Sequence, residues 1–209
     1  MYKVGIIGDG YTAVDLLRLM VLHDQLDPVC ILSTENVGKR IDEVYPQLIG
    51  FSNLVCEKSD VNIIKERCDI AFLALPHGLS VNIALELLPS GIKCVDLGAD
   101  FRLKDPRLYE EYYDKVHEAP EMLATAVYGI PELYRDKIKN AELIANPGCF
   151  PTGAILPLYP LLAEGLIEGR GIVIDAKTGV SGAGRGVRAT SQFCEINEGI
   201  KAYGVGTHR

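Results

Sequence analysis

A short apolar segment that runs directly into two closely spaced glycines restricts the fold of this chain more than any other feature. Val4–Ile7 has the composition of a buried strand, and Gly8 and Gly10 follow it at once. Thr12–Leu22 is nearly all apolar and has a helical composition. A strand, a Gly-x-Gly turn and a helix in this order are typical of the first unit of a dinucleotide-binding sheet. The first glycine permits the tight turn, the second lets a pyrophosphate approach the backbone, and the small Ala13 lets the helix contact the sheet.

The alternation of strands and helices continues along the chain. Leu79–Leu88 is a second predicted helix, and Gly91 stands where its C-terminal cap belongs. Asp100–Lys139 is charged and Tyr-rich, and we expect it to form surface helices and loops over the end of the sheet. Further strands are predicted at Val29–Leu32, Asp69–Leu75, Lys93–Leu97 and Glu142–Asn146. This alternation indicates an α/β fold, with a Rossmann-type parallel-sheet domain over residues 1–148.

The chain after residue 148 has a different organisation. Thr152 to about Glu164 predicts a helix, Gly171–Thr178 predicts a strand, and a Gly-rich loop follows. One helix and one strand cannot bury a core by themselves. We therefore expect residues 149–209 to be the N-terminal, incomplete part of an α+β catalytic or dimerisation domain, within a fragment of a longer protein.

Charge and composition exclude several classes of function. The chain has 28 acidic and 21 basic residues and a formal net charge of −7, so nucleic-acid binding is not expected. No apolar run is long enough to cross a membrane, and the N-terminus does not resemble a secretory leader. A cytoplasmic location is therefore the default expectation. The six cysteines include no Cys-x-x-Cys pair, and no metal site is expected.

The end of the second predicted strand indicates which dinucleotide is bound. Sheets that bind NAD usually place an acidic residue there, to bond the ribose 2′-hydroxyl. Here the positions are Ser33 and Thr34, with no acid until Glu35, and Lys39 and Arg40 follow. Hydroxyl groups and cations suit a 2′-phosphate, so the sequence favours NADP over NAD. The alternative is that the two cations are solvated loop charges.

A single cysteine, Cys149, lies at a break in the pattern, between Pro147 and Pro151 and just after a predicted strand. In open α/β sheets, ligands bind at the carboxyl ends of the strands. Pro151 suits the first position of the helix that follows. A thiol at a helix N-terminus is stabilised as the thiolate, so we expect Cys149 to be a nucleophile beside the cofactor cleft. The alternative is a structural cysteine at a helix start.

A thiolate beside a nicotinamide implies aldehyde and acyl chemistry, which needs a proton shuttle. The chain has four histidines. His23 ends the first helix, His117 is expected to be solvated, and His77 ends a strand where it could touch the cofactor. His208 follows the Gly-rich loop in the same segment as Cys149, and we therefore favour it as the acid–base group.

Four motifs together resemble the N-acetyl-gamma-glutamyl-phosphate reductases, a family related to aspartate-semialdehyde dehydrogenase. They are NPGCFPT around Cys149, DLGADFRL at 96–103, DAKTGVSGAGR at 175–185 and THR at 207–209. The resemblance covers essentially the whole chain. It implies NADPH-dependent reduction of the acyl phosphate N-acetylglutamyl 5-phosphate to N-acetylglutamate 5-semialdehyde, in arginine biosynthesis. It also implies a homo-oligomer, a dimer or a tetramer.

The resemblance assigns roles to individual residues. Cys149 matches the nucleophile and His208 the acid–base histidine. Arg102 matches an arginine that holds the substrate phosphate, with an ion pair to Asp96 or Asp100 as the structural alternative, and Arg185 and Arg209 are candidates for the substrate carboxylate. The residues expected to contact the cofactor are Gly8, Gly10, Tyr11, Thr12, Ser33, Thr34, Lys39, Pro76, His77, Ser181, Gly182, Ala183 and Gly184.

Two departures and two alternatives accompany this resemblance. The turn that contains Gly8 and Gly10 is one residue shorter than is usual in the family, and Phe150 stands where the family commonly has tyrosine. A related reductase of N-acetyl-aminoadipyl phosphate, from lysine biosynthesis, fits the same motifs. A non-catalytic dinucleotide-binding fragment is the alternative from a different class.

Overall fold

The computed structural model describes residues 1–186 and 188–206, and its centre is a seven-stranded sheet. All the paired strands are parallel, and their order across the sheet is β3-β2-β1-β4-β5-β7-β6. The strands are β1 (Tyr2–Ile7), β2 (Leu26–Ser33), β3 (Cys56–Lys58), β4 (Ile70–Leu73), β5 (Lys93–Asp96), β6 (Val127–Tyr128) and β7 (Leu143–Ala145). The α/β, Rossmann-type fold expected from the sequence is thereby confirmed.

Helices connect the strands and cover the sheet. They are α1 (Tyr11–Met20), α2 (Ile41–Val44), α3 (Val61–Arg67), α4 (Ser80–Leu87), α5 (Pro106–Tyr113), α6 (Pro120–Thr125), α7 (Pro131–Lys139), α8 (Cys149–Ala163) and α9 (Phe193–Ile196). Two separate apolar clusters form, because successive side chains of a strand point to opposite faces. Ile6 belongs to the cluster under α1, whereas its neighbour Ile7 belongs to the cluster that includes α4. The central strands are therefore apolar on both faces, as buried parallel strands are.

The five strands expected within residues 1–148 are all present, and two more lie at the edges of the sheet. Two of the three residues of β3, Glu57 and Lys58, are charged, and β6 has only two residues, so neither shows an apolar run. Both pair with a longer neighbour, β3 with β2 and β6 with β7. Asp100–Lys139 contains helices, as expected, three in number, and it also contains β6, which was not expected.

Two expectations for the second segment are corrected. Gly171–Thr178 forms no strand, because no strand of the described chain pairs with it, and Val173 is 89% exposed. A strand needs a partner for its backbone hydrogen bonds. The helix α8 begins at Cys149 rather than at Thr152, so Pro151 lies inside its first turn. Proline is tolerated there because the first four N–H groups of a helix have no acceptor within the helix.

The turn after β1 depends on a close approach of two strand ends. Gly8 has φ = +109°, and a Cβ on it would overlap the carbonyl oxygen of Ala74, just beyond β4. Gly8 N–H also donates to Leu32 O at 2.9 Å, and Ala74 N–H donates to Ile7 O at 2.8 Å. These bonds hold the ends of β1, β2 and β4 together around the turn.

Replacing Gly8 with alanine should destabilise the fold, because the new Cβ meets the Ala74 carbonyl and the positive φ is strained. We expect the free energy of unfolding to fall by about 1–3 kcal/mol, measured by chemical denaturation. Gly10→Ala is the matched control, since a Cβ at Gly10 meets no atom within 4 Å. Equal stability of the two variants would contradict this account of the turn.

Candidate active and cofactor site

The carboxyl edge of the sheet provides a crevice between β1 and β4. The chain moves from β1 to β2 and β3 on one side, and then to β4 and β5 on the other. In open parallel sheets, ligands bind at the point where the direction of winding changes. Gly8 and Gly10 follow β1 at this point, and the N-terminus of α1 opens directly after them. The unpaired N–H groups of a helix N-terminus favour a phosphate.

A groove of about 500 Å³ lies between the first turn of α1 and the Gly-rich loop of the second segment. Its lining includes Tyr11 and Val14 from α1, and Ser181, Gly184 and Arg185 from the loop. A volume of this size is typical of sites for small molecules and cofactors. Tyr11 directly follows Gly10, so this groove lies next to the turn after β1. The structure therefore brings the predicted residues Tyr11, Ser181 and Gly184 together.

The end of β2 is organised around a buried carboxylate that the sequence analysis did not select. Asp9, between the two glycines, is only 6% exposed. Its Oδ2 accepts hydrogen bonds from Ser33 Oγ at 2.8 Å and from Asn36 Nδ2 at 2.6 Å. Ser33 Oγ in turn accepts from the backbone N–H groups of Glu35 and Asn36. The buried Ser33 hydroxyl is therefore engaged within the protein, whereas Thr34 is exposed.

Lys39 and Arg185 bring positive charge to the same corner. Lys39 is exposed, and its Nζ lies 3.4 Å from Asn36 Oδ1. Arg185 Nη2 lies 3.1 Å from Asp9 Oδ1 and 3.5 Å from Glu35 Oε2. Asp9 follows β1, whereas the predicted nucleophile Cys149 follows β7, which lies three strand positions away in the sheet. The contact of Arg185 with Asp9 does not support its predicted role at the substrate carboxylate, and that role stays a prediction.

Cys149 lies at the same edge of the sheet, after β7. It is the first residue of α8 and its side chain is exposed. The turn before it is firmly held, because Asn146 N–H donates to Asp96 O at 2.8 Å. The N–H and the hydroxyl of Thr152 both donate to Gly148 O, at 3.0 and 2.9 Å. The sequence-based expectation of an exposed thiol at a helix start agrees with this placement.

The Arg102 side chain bridges the ends of β5 and β7 beside this turn. Its Nε donates to Asn146 O at 2.8 Å and its Nη2 donates to Leu97 O at 3.1 Å. Nη1 would lie 3.2 Å from a Cβ on Gly148, which places the guanidinium against the residue before Cys149. Among the described residues it forms no salt bridge with Asp96 or Asp100, although its charge acts to lower the pKa of Asp96.

A buried polar network behind Arg102 was not anticipated from the sequence. Ser80 joins two fully buried carboxyl groups, because its hydroxyl donates to Asp96 Oδ1 at 2.7 Å and its N–H donates to Asp100 Oδ2 at 3.0 Å. Burial raises the pKa of Asp96 to about 6, although the hydrogen bond from Ser80 opposes this shift. Asp96 Oδ2 has no hydrogen-bond partner among the described residues.

Two of the histidines considered in the sequence analysis, His117 and His77, lie in different environments. His117 is 4% exposed rather than solvated, since its Nδ1 accepts from Ala119 N–H and its Nε2 donates to Asp100 O at 2.8 Å. Pro76 and His77 are exposed after β4, and the His77 ring lies edge-on to that of Tyr113 at 5.4 Å between centroids.

Two of the predicted catalytic and substrate residues, His208 and Arg209, lie outside the described residues. Within 1–186 and 188–206, no cluster of three metal-ligating side chains is present. None of the helices described is long and apolar enough to cross a membrane.

Comparison with known families identifies the two parts of the chain. The semialdehyde dehydrogenase NAD-binding domain matches residues 3–141, and the semialdehyde dehydrogenase dimerisation domain matches residues 149–209. The chain belongs to the semialdehyde dehydrogenase family. This membership agrees with the Gly-x-Gly turn, the groove beside it and the cysteine at the carboxyl edge of the sheet.

Two similar proteins indicate which enzyme of this family the chain resembles. An N-acetyl-gamma-glutamyl-phosphate reductase from Desulforudis audaxviator is 50% identical over 210 residues, which cover 100% of this chain and 61% of that protein. The reductase of the same name from Pelotomaculum thermopropionicum is 51% identical, over 99% of this chain and 60% of that protein. The resemblance drawn from the motifs is thus confirmed, and the chain spans about 60% of the length of these relatives.

Solved structures support the fold. Aspartate semialdehyde dehydrogenase II from Vibrio cholerae, complexed with ASA, superposes with a TM-score of 0.57 at 20% identity, over 88% of this chain and 48% of that one. The Candida albicans aspartate semialdehyde dehydrogenase with NADP gives a TM-score of 0.56 at 15% identity, over 78% of this chain and 47% of that one.

The raised pKa of Asp96 predicts a pH-dependent stability. The folded chain holds this proton more tightly than the unfolded chain does. The stabilisation is therefore full below the ordinary pKa of 3.8 and is lost as the pH rises through about 6. As the pH rises from 4.5 to 7.5, the unfolding free energy of the unmodified chain should fall relative to that of Asp96→Asn. The difference between the two should grow by about 1–3 kcal/mol in favour of the variant. Asp136→Asn, at a side chain that is 97% exposed, should show no such trend; the same flat behaviour for Asp96→Asn would refute the assignment.

Proposed function

We propose that this chain carries the cofactor site and the nucleophile of an NADPH-dependent N-acetyl-gamma-glutamyl-phosphate reductase. The observation that supports this most directly is the position of Cys149. An exposed thiol begins α8 at the carboxyl edge of a parallel sheet, the same edge at which Gly8 and Gly10 follow β1. The names of the similar proteins favour the acetylglutamyl substrate over the alternatives.

Cys149 performs the covalent step in this proposal. Its thiolate attacks the acyl carbon of N-acetylglutamyl 5-phosphate, the bond from that carbon to the phosphate oxygen breaks, and phosphate leaves. The acyl group is then held on the sulfur as a thioester. A thiol at the first position of a helix lies near the positive end of the helix dipole, which stabilises negative charge there. In the last step the sulfur departs as thiolate and the aldehyde is released.

The proposed cofactor residues surround the crevice at β1, β2 and β4. Gly8, Gly10, Tyr11 and Thr12 hold the pyrophosphate, and Ser181–Gly184 closes the groove from the opposite side. Ser33, Thr34 and Lys39 lie at the ribose end, whereas Pro76 and His77 lie beyond β4. When bound, the reduced dinucleotide supplies the hydride that converts the thioester to the aldehyde. NADP is the proposed form, because β2 ends in Ser33 rather than in an acid and Lys39 lies nearby.

The remaining roles follow from the family resemblance. Arg102 holds the substrate phosphate through the guanidinium nitrogen nearest Gly148. His208 transfers protons, and Arg185 and Arg209 are candidates for the substrate carboxylate. Residues 1–148 form the cofactor domain, and residues 149–209 begin a catalytic and dimerisation domain. The match of that segment to a dimerisation domain supports a homo-oligomer.

Replacing Cys149 with serine should remove turnover and leave cofactor binding intact, because only the covalent step needs the sulfur. The assay follows NADPH formation from N-acetylglutamate 5-semialdehyde, phosphate and NADP, the reverse of the proposed reaction. We expect a loss of about 10³-fold or more for Cys149→Ser. Cys194→Ser, at the other exposed thiol, is the control and should keep its activity. Substantial turnover by Cys149→Ser would refute the mechanism.

The same assay separates the two candidate substrates. The aldehyde of N-acetyl-aminoadipate is one carbon longer, and one methylene in a fitted pocket changes selectivity by about 10–200-fold. We expect the acetylglutamate aldehyde to be preferred by at least about tenfold in kcat/KM. A preference for the longer aldehyde would favour the lysine-pathway alternative.

Thiol reactivity tests the non-catalytic alternative without any turnover. Native protein is treated with iodoacetamide near neutral pH, and each cysteine peptide is quantified over time. Cys149 should react about tenfold faster than Cys194, which reports the rate of an ordinary exposed thiol. The buried thiols, which should react slowest, are Cys30, Cys56, Cys68 and Cys94. Equal rates at Cys149 and Cys194 would favour a binding module.

A further inference from the structure

The buried carboxylate of Asp9 has no role in the mechanism above. It lies in the cofactor turn itself, between Gly8 and Gly10, and its exposed fraction is 6%. Both of its oxygens are engaged: Oδ2 with Ser33 and Asn36, and Oδ1 with Arg185. A buried carboxylate is costly unless it is hydrogen-bonded and paired, so this arrangement needs an explanation.

The position of Asp9 relative to β2 suggests that explanation. In sheets that bind NAD, a carboxylate at the end of the second strand bonds the ribose 2′-hydroxyl. β2 ends at Ser33 and has no such acid, but Asp9 Oδ2 lies 2.8 Å from the Ser33 hydroxyl. The neighbouring turn therefore supplies a carboxylate to the corner where the second strand usually does. A negative charge at this corner repels a 2′-phosphate and thus opposes NADP.

Arg185 compensates for this charge. Its Nη2 lies 3.1 Å from Asp9 Oδ1 and 3.5 Å from Glu35 Oε2, so that it faces two carboxylates. Its guanidinium carbon also lies 5.9 Å from the centre of the Tyr45 ring, and Tyr45 donates its hydroxyl proton to the backbone oxygen of Asp9 at 2.7 Å. The Arg185 side chain is still 33% exposed, and a guanidinium is well suited to bind a phosphate.

The geometry points to Asp9 and Arg185 as the residues that set the selectivity between NAD and NADP. Asp9 opposes the 2′-phosphate, and Arg185 neutralises Asp9 and offers its remaining donors to that phosphate. Lys39 lies at the rim of the same network and adds a second cation. This inference rests on the proposed function only in that a nicotinamide dinucleotide binds in the groove, and it assigns Arg185 to the cofactor in place of the substrate carboxylate.

The test is the ratio of the affinities for NADPH and NADH, measured by titration of cofactor fluorescence. Asp9→Asn keeps the shape and removes the charge, so it should raise the preference for NADPH by about tenfold, equivalent to about 1.4 kcal/mol. Arg185→Gln should lower that preference by a similar factor. Because the two side chains are in contact, the double variant should depart from the product of the single effects. Both shifts should shrink at high salt.

Two charge-matched controls accompany these variants. Asp27→Asn removes a carboxylate from the opposite end of β2, about 20 Å away at 3.3 Å per residue. Arg170→Gln removes an exposed arginine that pairs only weakly, at 3.9 Å, with Glu168. Neither control should change the affinity ratio. Thermal unfolding of each variant confirms that the fold is retained, and Arg185→Gln carries the test alone if Asp9→Asn does not fold.

The outcomes are distinguishable. The inference would be overturned if the ratio of NADPH to NADH affinity in Asp9→Asn and Arg185→Gln, where these fold, stays within about twofold of that in the unmodified chain. The proposed reductase would then remain intact. A shift in the opposite direction would do the same. If the unmodified chain binds neither dinucleotide, the inference and the cofactor step of the proposed function both fail.

Discussion

The contact between the turn after β1 and the end of β4 is the constraint on which the rest of this structure depends. Gly8 has a positive φ, and its α-carbon faces the Ala74 carbonyl so closely that no side chain fits. The approach holds β1 against β4 at the place where the winding direction of the sheet changes. It also directs the N-terminus of α1 into the crevice. The position of the Gly8–Gly10 turn at this crevice is therefore a consequence of backbone packing, before any polar side chain contributes.

Two buried polar networks lie at different parts of the carboxyl edge of the sheet. Asp9 organises the end of β2, where the ribose of a dinucleotide is expected. Asp96 and Asp100, joined by Ser80, organise the ends of β4 and β5 beside Arg102. Buried carboxylates do not add much net stability, but each one accepts hydrogen bonds in a specific geometry and thereby fixes the loops around it. The apolar layers hold the sheet together, and these networks set the positions of its loops.

Local sequence patterns predicted the parts of the fold that have a clear period or a clear break. Five of the seven strands, the helix after Gly10 and the exposed Cys149 were all foreseen, because apolar runs, glycines and prolines act locally. The edge strand β3 was missed because two of its three residues, Glu57 and Lys58, are charged, and β6 was missed because it has only two residues. The predicted strand at Gly171–Thr178 failed for the opposite reason: its apolar pattern is suitable, but no described strand pairs with it. Strand formation needs a partner, and periodicity does not report one.

The sequence by itself determined the fold class, the cofactor turn and the presence of a cysteine at a helix start. Only the tertiary structure decided which charged groups meet. Asp9 and Arg185 are 176 positions apart in the chain, yet their side chains lie 3.1 Å apart. The sequence order could not reveal this contact, nor that Ser33 is engaged by Asp9 or that Arg102 bonds two strand-end carbonyls. Backbone preferences are encoded by neighbouring residues, whereas the charge at a site depends on distant segments that packing brings together.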